Sequence, residues 1–531
     1  MSDPAADGRD YFRYCPGEEA IKISNAVCRG RRRSNFHKCK GCQFNDDERL
    51  ATSPGAAQGG SMPTTESADA FAGVFKAYDV RGVVPDPLSE TAAWRIGYAT
   101  AQFLRTKLSG MDLATPNAKS IVVGRDHRQH SPALQASFVD GVRASGLDVI
   151  DIGLIDTSQI YFAVNHLAAA GGVQTTASHN PPRYNGFKIC AAGGKPVGQG
   201  TGLESIRDIA TRIPKHQTGT TGRLTQLDLS EPYKAFVRGF LHDRPRLARP
   251  IKVAVDALNG VAGKWFPILF GDVPGLTTVP LNFEHDGNFV HEPNPMLDAN
   301  IAALRDAVKR EQADFGACFD GDADRCVFVD DKANVLRSDL VTALLARVFL
   351  QKSPGSAVVF DLRSSRVVRE EIERAGGVAV RQRVGHAFMK KIMAERQGVF
   401  GGELSGHYYF RDNWNCDSGV LAFIHLLNLV ADGDRAVSEL IKPLRRLHGS
   451  GEINFENPAA DATMAQLQST FADAEIDQLD GVTVQYPAWW FNVRKSNTEP
   501  LLRLNLEADT KKLLREKLAE LTPLLGKRIA H

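Results

Sequence analysis

From residue 71 onward, short β-branched runs alternate with stretches in which apolar residues recur every three to four positions. IVVGRD at 121, LDVIDIGL at 147, IKVAVDALNG at 251 and AVVFDLRSS at 357 predict strands, and Pro132 to Ala144 predicts an amphipathic helix. Alternation of this kind predicts an α/β fold. Several of the runs end in a polar, Gly-containing turn, which is where open α/β sheets bind ligands. GVLAFIHLLNLVA at 419–431 is apolar but broken by His425 and Asn428, and it is shorter than the ~20 residues of a spanning helix, so it predicts a buried core helix. The end of the chain differs: 482–508 predicts two strands around a loop, and 509–525 has helical spacing, together a separate α+β domain. Turn-rich and charge-rich breaks divide the chain into 1–50, a Gly-, Pro-, Ser- and Thr-rich linker at 51–70, and domains at 71–225, 226–335, 336–450 and 451–531. No repeat with a period of about 20 to 50 residues is evident.

Composition narrows the classes of function. The 64 Lys+Arg and 62 Asp+Glu of the 531 residues leave a formal charge of +2, so no global field recruits nucleic acid or an anionic membrane. A charged substrate must therefore be read by a local site. The first residues carry charge and no apolar core of a leader peptide, so a cytoplasmic location is the expectation.

Four loops carry candidate chemistry. In DFGACFDGDADRCVFVDD at 314–331, Asp320, Asp322 and Asp324 recur at every second position between two apolar strands. In an extended loop that period puts the three carboxylates on one side, and such a set of hard oxygens selects Mg²⁺; the bland alternative is a solvated acidic turn. Arg325 adds a cation beside it. In GGVQTTASHNPPRYNGFKI at 171–189, Ser178 sits on a rigid turn with His179 and Lys188 as local activating groups, or else it merely caps the turn. In VFGGELSGHYYF at 399–410, Glu403, Ser405 and His407 alternate and would share one face of a strand, where carboxylate and hydroxyl suit vicinal sugar hydroxyls; a polar edge strand is the other reading. NVRKSNTEP at 492–500 offers Arg494, Ser496, Asn497 and Thr498 to a phosphate dianion, or is a solvated hairpin loop.

TASHNPP, FDGDADR, GGELSGH and RKSNTEP, in that order and at domain-sized spacing, resemble the α-D-phosphohexomutase family, specifically its bacterial phosphomannomutase/phosphoglucomutase branch. FKAYDVRG at 75–82, NGFKI at 185–189 and VGHAFMKK at 384–391 extend the resemblance, which runs from about residue 70 to the end. It implies three related α/β domains and a smaller C-terminal α+β domain around a central cleft: a phosphoserine, a metal, a sugar and a phosphate domain in turn. It further implies that Ser178 is a phosphoserine whose phosphate completes the Mg²⁺ site of Asp320, Asp322 and Asp324, with His179 and Lys188 as acid/base groups and Arg325 steadying the transferred charge. Tyr78 and Arg81 match an active-site motif, His386 and His407 lie near the ligand, and Glu403 and Ser405 hold the sugar 3- and 4-hydroxyls. Arg494, Ser496, Asn497 and Thr498 clamp the phosphate that is not reacting, and Arg363 stays unassigned. The implied reaction interconverts mannose 6-phosphate and mannose 1-phosphate through a hexose 1,6-bisphosphate, with some use of glucose phosphates because the epimers differ only at C2. Leu404 and Asn497 depart from the glucosamine branch. A phosphoglucomutase preferring glucose 1-phosphate, or a non-catalytic regulatory protein acting through its N-terminus, are the rival readings.

Residues 1–50 lie outside that pattern. Cys15, Cys28, Cys39 and Cys42 are candidate ligands of a structural Zn²⁺, with a reduced tail or a redox pair as alternatives. Six basic residues between 28 and 40, with no acid among them, are a solvated face or a docking surface for an acidic partner or RNA.

Overall fold

The computed structural model describes residues 71–108, 115–213, 221–242, 249–287, 289–496 and 501–529, together with two short strands near the N-terminus. The chain divides into Met1–Thr65 and Glu66–His531. In the first unit, Phe12–Tyr14 pairs antiparallel with Lys22–Ser24. The candidate zinc ligands Cys15, Cys28, Cys39 and Cys42 lie outside the described residues.

The described residues of the second unit form four sheets. The first is built from β1 (Val80–Val83), β2 (Ser120–Arg125), β3 (Asp148–Leu154), β4 (Gly171–Thr175), β5 (Tyr184–Ala191), β6 (Lys195–Pro196) and β7 (Leu224–Gln226), in the order β1-β5-β4-β2-β3-β7 with β6 on β5. The second comprises β8 (Ile251–Asp256), β9 (Leu276–Leu281), β10 (Phe315–Phe319) and β11 (Cys326–Asp330), ordered β9-β8-β10-β11. The third comprises β12 (Ala357–Asp361), β13 (Val378–Gln382), β14 (Phe400–Gly402), β15 (Tyr408–Phe410) and β16 (Cys416–Asp417), ordered β13-β12-β14-β15-β16. These sheets repeat one plan. A central strand (β2, β8 or β12) is flanked by two parallel partners, and the second partner (β4, β10 or β14) turns straight back into an antiparallel strand. The turn-back is the Ser178 loop in the first sheet, the Asp320 loop in the second and the Glu403 loop in the third. This shared plan is invisible as a sequence period because side chains, not backbone connections, diverge.

Burial explains the strands. β4, β10, β11, β12 and β14 are buried along their whole length, as strands covered by helices on both faces must be. Helices Ser131–Ala144 and Gly419–Asp432 form where the apolar pattern predicts them, and the latter is almost wholly buried. The fourth sheet is antiparallel, with β17 (His448–Glu456), β18 (Glu475–Asp477), β19 (Val482–Tyr486), β20 (Trp489–Lys495), β21 (Leu501–Ala508) and β22 (Lys527–Ile529) in the order β18-β19-β20-β21-β17-β22. The segment at 482–508 therefore forms three strands, not the expected two: Pro487 and Ala488 make a turn that splits the first run. Helix Lys511–Leu525 packs on this sheet through Leu521 and Leu525. Cys190, Cys318, Cys326 and Cys416 are buried thiols, and burial pushes Cys190 and Cys416 up to about 12. Among the described residues, no helix is long and apolar enough to cross a membrane.

Candidate active site

The acidic loop follows β10. It is a turn rather than the extended stretch expected: Ala323 takes a left-handed φ of 58° and its N–H donates to the Asp320 carbonyl at 3.1 Å. The curl still brings one oxygen from each of Asp320, Asp322 and Asp324 within 4.8 Å of the others, all buried. Burial, then the two neighbouring carboxylates, push Asp320 up to about 8. Asp322 Oδ1 and Asp324 Oδ1 are buried with no hydrogen-bond partner. Three hard oxygen donors, two with orphaned atoms and one too crowded to ionise freely, fit a divalent cation such as Mg²⁺.

Ser178 comes to this cluster from the β4–β5 turn. Its hydroxyl donates to Asp320 Oδ2 at 2.7 Å, and its Oγ lies 3.3 Å from His179 Nδ1. Burial and the surrounding cations, Arg325 first, hold His179 well below the usual imidazole range, so the ring is neutral. Lys188, on β5, donates to Asp322 Oδ2 at 2.7 Å and to Asp324. Burial opposes its charge, but Asp322 and Asp324 outweigh burial and keep the ammonium protonated.

The other predicted residues ring this centre. Arg325 Nε donates to His407 Nε2 at 3.0 Å and lies 3.8 Å from Asp320 Oδ2. His407 Nδ1 in turn lies 3.0 Å from Asp417 Oδ2. Tyr78 donates to the Val384 carbonyl at 2.8 Å and stands edge-on to His386, with ring centroids 5.5 Å apart. Arg81 donates to Asn180 Oδ1 at 2.6 Å and pairs with Asp79. The expected strand face of Glu403, Ser405 and His407 does not form. These residues make the β14–β15 turn, closed by the Glu403 N–H on the His407 carbonyl at 2.9 Å and by Gly406 at φ 87°. Glu403 instead accepts from the Gly385 N–H at 2.9 Å and from the Tyr409 hydroxyl at 2.5 Å.

Arg494, on β20, is buried and donates to Glu452 Oε2 at 2.9 Å, and the Ser496 N–H donates to the Leu501 carbonyl at 2.8 Å. Asn497 and Thr498 lie outside the described residues. Arg363 is buried, bound to Asp361 Oδ2 at 2.7 Å and 3.7 Å from Glu452 Oε2.

Sequence reasoning missed three residues. Thr157, at the start of helix Thr157–His166, donates its hydroxyl to Asp322 Oδ2 at 2.7 Å and its N–H to the Asp322 carbonyl at 3.1 Å. Lys390 reaches Asp417 Oδ1 at 2.7 Å and the Tyr161 hydroxyl at 2.8 Å, so it fixes the carboxylate behind His407. Arg128 donates to the Ser178 and Asn180 carbonyls, both at 2.8 Å. A strand ending in GRDHR at 124–128 was the available signal for Arg128, because polar turns after such strands point at sites.

Family models for phosphoglucomutase/phosphomannomutase match the chain in four consecutive pieces: α/β/α domain I at 72–217, domain II at 233–333, domain III at 337–447 and the C-terminal domain at 452–523. The chain belongs to the phosphoglucomutase/phosphomannomutase family. It is a phosphohexomutase, an isomerase. It is 41% identical over 440 residues, 82% of its length and 94% of the relative's, to the "Phosphohexose mutases" of Xanthomonas campestris pv. campestris (strain B100). It is 37% identical over 464 residues to an Escherichia coli phosphomannomutase, covering 85% of this chain and 98% of that one. A crystal structure of a phosphoglucomutase/phosphomannomutase family protein from Burkholderia thailandensis superposes with a TM-score of 0.76 at 30% identity, over 86% of this chain and 97% of the other.

Proposed function

We propose that this phosphohexomutase interconverts mannose 6-phosphate and mannose 1-phosphate by way of a phosphoserine at position 178 and a hexose 1,6-bisphosphate, with secondary use of glucose phosphates. The observation that carries the reading is the Ser178 hydroxyl donating at 2.7 Å into a buried cluster of three carboxylates. The Thr157 hydroxyl donates to the same cluster, but Ser178 alone of the two has an imidazole 3.3 Å from its oxygen, and a phosphoryl carrier needs a cation site and an acid/base group together.

In the first transfer the phosphoryl group leaves Ser178 Oγ for a hydroxyl of the bound hexose phosphate. Asp320, Asp322 and Asp324 would hold Mg²⁺ together with the phosphoserine, and the cation would supply neutralisation of the charge on the transferring group. As the group passes, the attacking sugar hydroxyl loses a proton and Ser178 Oγ gains one; neutral His179, 3.3 Å from Ser178 Oγ, and protonated Lys188 are the base and acid for these two transfers, and they exchange roles when the second phosphate returns to the serine. Arg325 steadies the phosphoryl oxygens. After the bisphosphate turns end over end, its other phosphate returns to the serine. The sugar contacts must therefore tolerate either orientation, a role we give to Glu403 and Ser405 on the 3- and 4-hydroxyls, flanked by Tyr78, Arg81, His386 and His407. Arg494, Ser496, Asn497 and Thr498 take the distal phosphate.

The domain limits near 225, 335 and 450, a cytoplasmic location and a structural Zn²⁺ at Cys15, Cys28, Cys39 and Cys42 complete the proposal. Metal analysis of the full chain tests the zinc: fewer than one equivalent after dialysis removes it. Substrate preference is tested by ³¹P NMR with Mg²⁺, catalytic glucose 1,6-bisphosphate and either mannose 1-phosphate or glucose 1-phosphate. We expect kcat/KM for mannose to equal or exceed that for glucose; a reaction with glucose alone would make the chain a phosphoglucomutase.

A further inference from the structure

Within the Ser178 loop the Asn180 N–H donates to the Ala177 carbonyl and the Tyr184 N–H to the Pro181 carbonyl, both at 3.0 Å, and four of the loop's carbonyls look to a partner outside it. Pro181 and Pro182 carry no N–H, and Ser178 adopts a left-handed backbone with φ 51°, a region that costs a residue with a side chain free energy unless its surroundings impose it. The Ser178 N–H donates to the Thr176 hydroxyl at 2.9 Å, but the side chain that spans the whole loop is Arg128. Arg128 is 1% exposed, and every one of its five guanidinium N–H donors is placed. One terminal nitrogen donates to the Ser178 and Asn180 carbonyls, both at 2.8 Å. The other donates to the carbonyls of Pro181 at 2.9 Å and Tyr184 at 3.0 Å. Nε donates to Asp126 Oδ2 at 3.0 Å.

The anchor is itself anchored. Asp126 Oδ1 accepts from the Arg128 N–H at 3.0 Å and from the Ser131 hydroxyl at 2.5 Å. Phe289 lies across the guanidinium, 5.0 Å from its carbon to the ring centroid. The acidic loop closes in on the same carbonyl: a Cβ on Gly321 would stand 2.5 Å from the Ser178 carbonyl oxygen. That carbonyl thus meets both Arg128 and the loop that bears Asp320.

We infer that Arg128 is a positioning residue for phosphoryl transfer, fixing the left-handed turn that delivers the Ser178 hydroxyl to the acidic cluster. The inference rests on the reading of Ser178 as phosphoryl carrier. Arg128 touches no reacting atom; it acts through the backbone of the loop. Its planar fork is what the task needs, because four carbonyls spread over seven residues are bridged by two nitrogens at fixed angles. A lysine ammonium keeps the charge but offers three donors from one point and cannot span them.

The test uses the full-length enzyme. Arg128→Lys is compared with Val139→Ala, a cavity variant in the buried core of the same domain, each assayed well below its own unfolding temperature. Three quantities are read: kcat, KM, and the single-turnover rate of phosphoryl transfer from phosphorylated enzyme to hexose phosphate. Misplacing a reacting group by about 1 Å costs on the order of 10²-fold, so Arg128→Lys should lower kcat and the single-turnover rate by about that factor with KM little changed, while Val139→Ala keeps wild-type kinetics. A kcat for Arg128→Lys within about threefold of the Val139→Ala value, or a loss confined to KM, overturns the inference. If Arg128→Lys does not fold, Asp126→Asn decides: it leaves the guanidinium in place but weakens its anchor, so a roughly tenfold fall in single-turnover rate is expected and an unchanged rate overturns the inference. Ser178→Ala is run alongside. Wild-type turnover in that variant sinks the phosphoserine reading and this inference with it, whereas an inactive Ser178→Ala beside a normal Arg128→Lys sinks this inference alone.

Discussion

Replacing Lys188 with Met removes the ammonium that Asp322 and Asp324 share while keeping most of the apolar stem. Lys188 is buried, as are both carboxylates, and the contact to Asp322 is 2.7 Å. Removing one partner of a buried pair costs about 3–5 kcal/mol, chiefly because charge is left uncompensated in a poorly solvated place. Asp320, held up to about 8, is largely protonated at neutral pH and adds little to the repulsion, so the lower end, about 3 kcal/mol, is the expected loss. A divalent cation can replace the missing positive charge. Calorimetric unfolding in chelator should show the full gap between Lys188→Met and wild type. Mg²⁺ at about 100 times its dissociation constant contributes about 2.7 kcal/mol to any protein that binds it only when folded, and more to the variant, so the gap should narrow. Equal stability of the two proteins in chelator, or a gap indifferent to Mg²⁺, would refute the view that this ammonium and a cation serve the same carboxylates.

Two other substitutions probe the packing of the two site loops and the buried core. Gly321→Ala pushes a methyl against the Ser178 carbonyl oxygen at 2.5 Å, so kcat should fall by about 10²-fold with only about 1–3 kcal/mol lost in stability; steady-state kinetics at wild-type rate would contradict the close packing of the two loops. His425 lies between Phe410 and Phe349 with its Nε2 unpartnered, and burial pushes it down to about 3 from an ordinary 6.5. Below pH 6.5 the unfolded ring takes a proton that the folded ring refuses, so stability falls as pH drops through that window. At pH 5 the loss is about 2 kcal/mol, and His425→Phe should remove it while matching wild type near pH 7.5. Parallel stability curves for the two proteins would count against it.

The acidic and serine loops were legible because they are local: three carboxylates or a hydroxyl with its neighbours occupy a few consecutive residues between strands whose burial the apolar pattern announces. What escaped was set by turns and by distance along the chain. Asp320, Asp322 and Asp324 do converge, but through a left-handed Ala323 rather than through strand alternation. Glu403 and His407 were assigned a common strand face, yet Gly406 at φ 87° closes a turn that sends one to Tyr409 and the other to Arg325 and Asp417. Thr157 lies 165 positions from the Asp322 it supports, and Arg128 lies 50 from Ser178. Such partners are chosen by how the sheets stack, and no local pattern records it. The common strand plan of the first three sheets, which the family resemblance implies, leaves no sequence period for a related reason, since backbone pairing is satisfied by many side-chain sets.

Mass spectrometry of the Ser178 peptide, taken from enzyme incubated with Mg²⁺ and glucose 1,6-bisphosphate and then chased with mannose 1-phosphate, tests the central claim most directly. The account predicts phosphate on Ser178 before the chase, its transfer to sugar during the chase, and neither phosphate nor turnover in Ser178→Ala. Steady conversion of mannose 1-phosphate by Ser178→Ala, or by wild-type enzyme that never carries phosphate on Ser178, would contradict it.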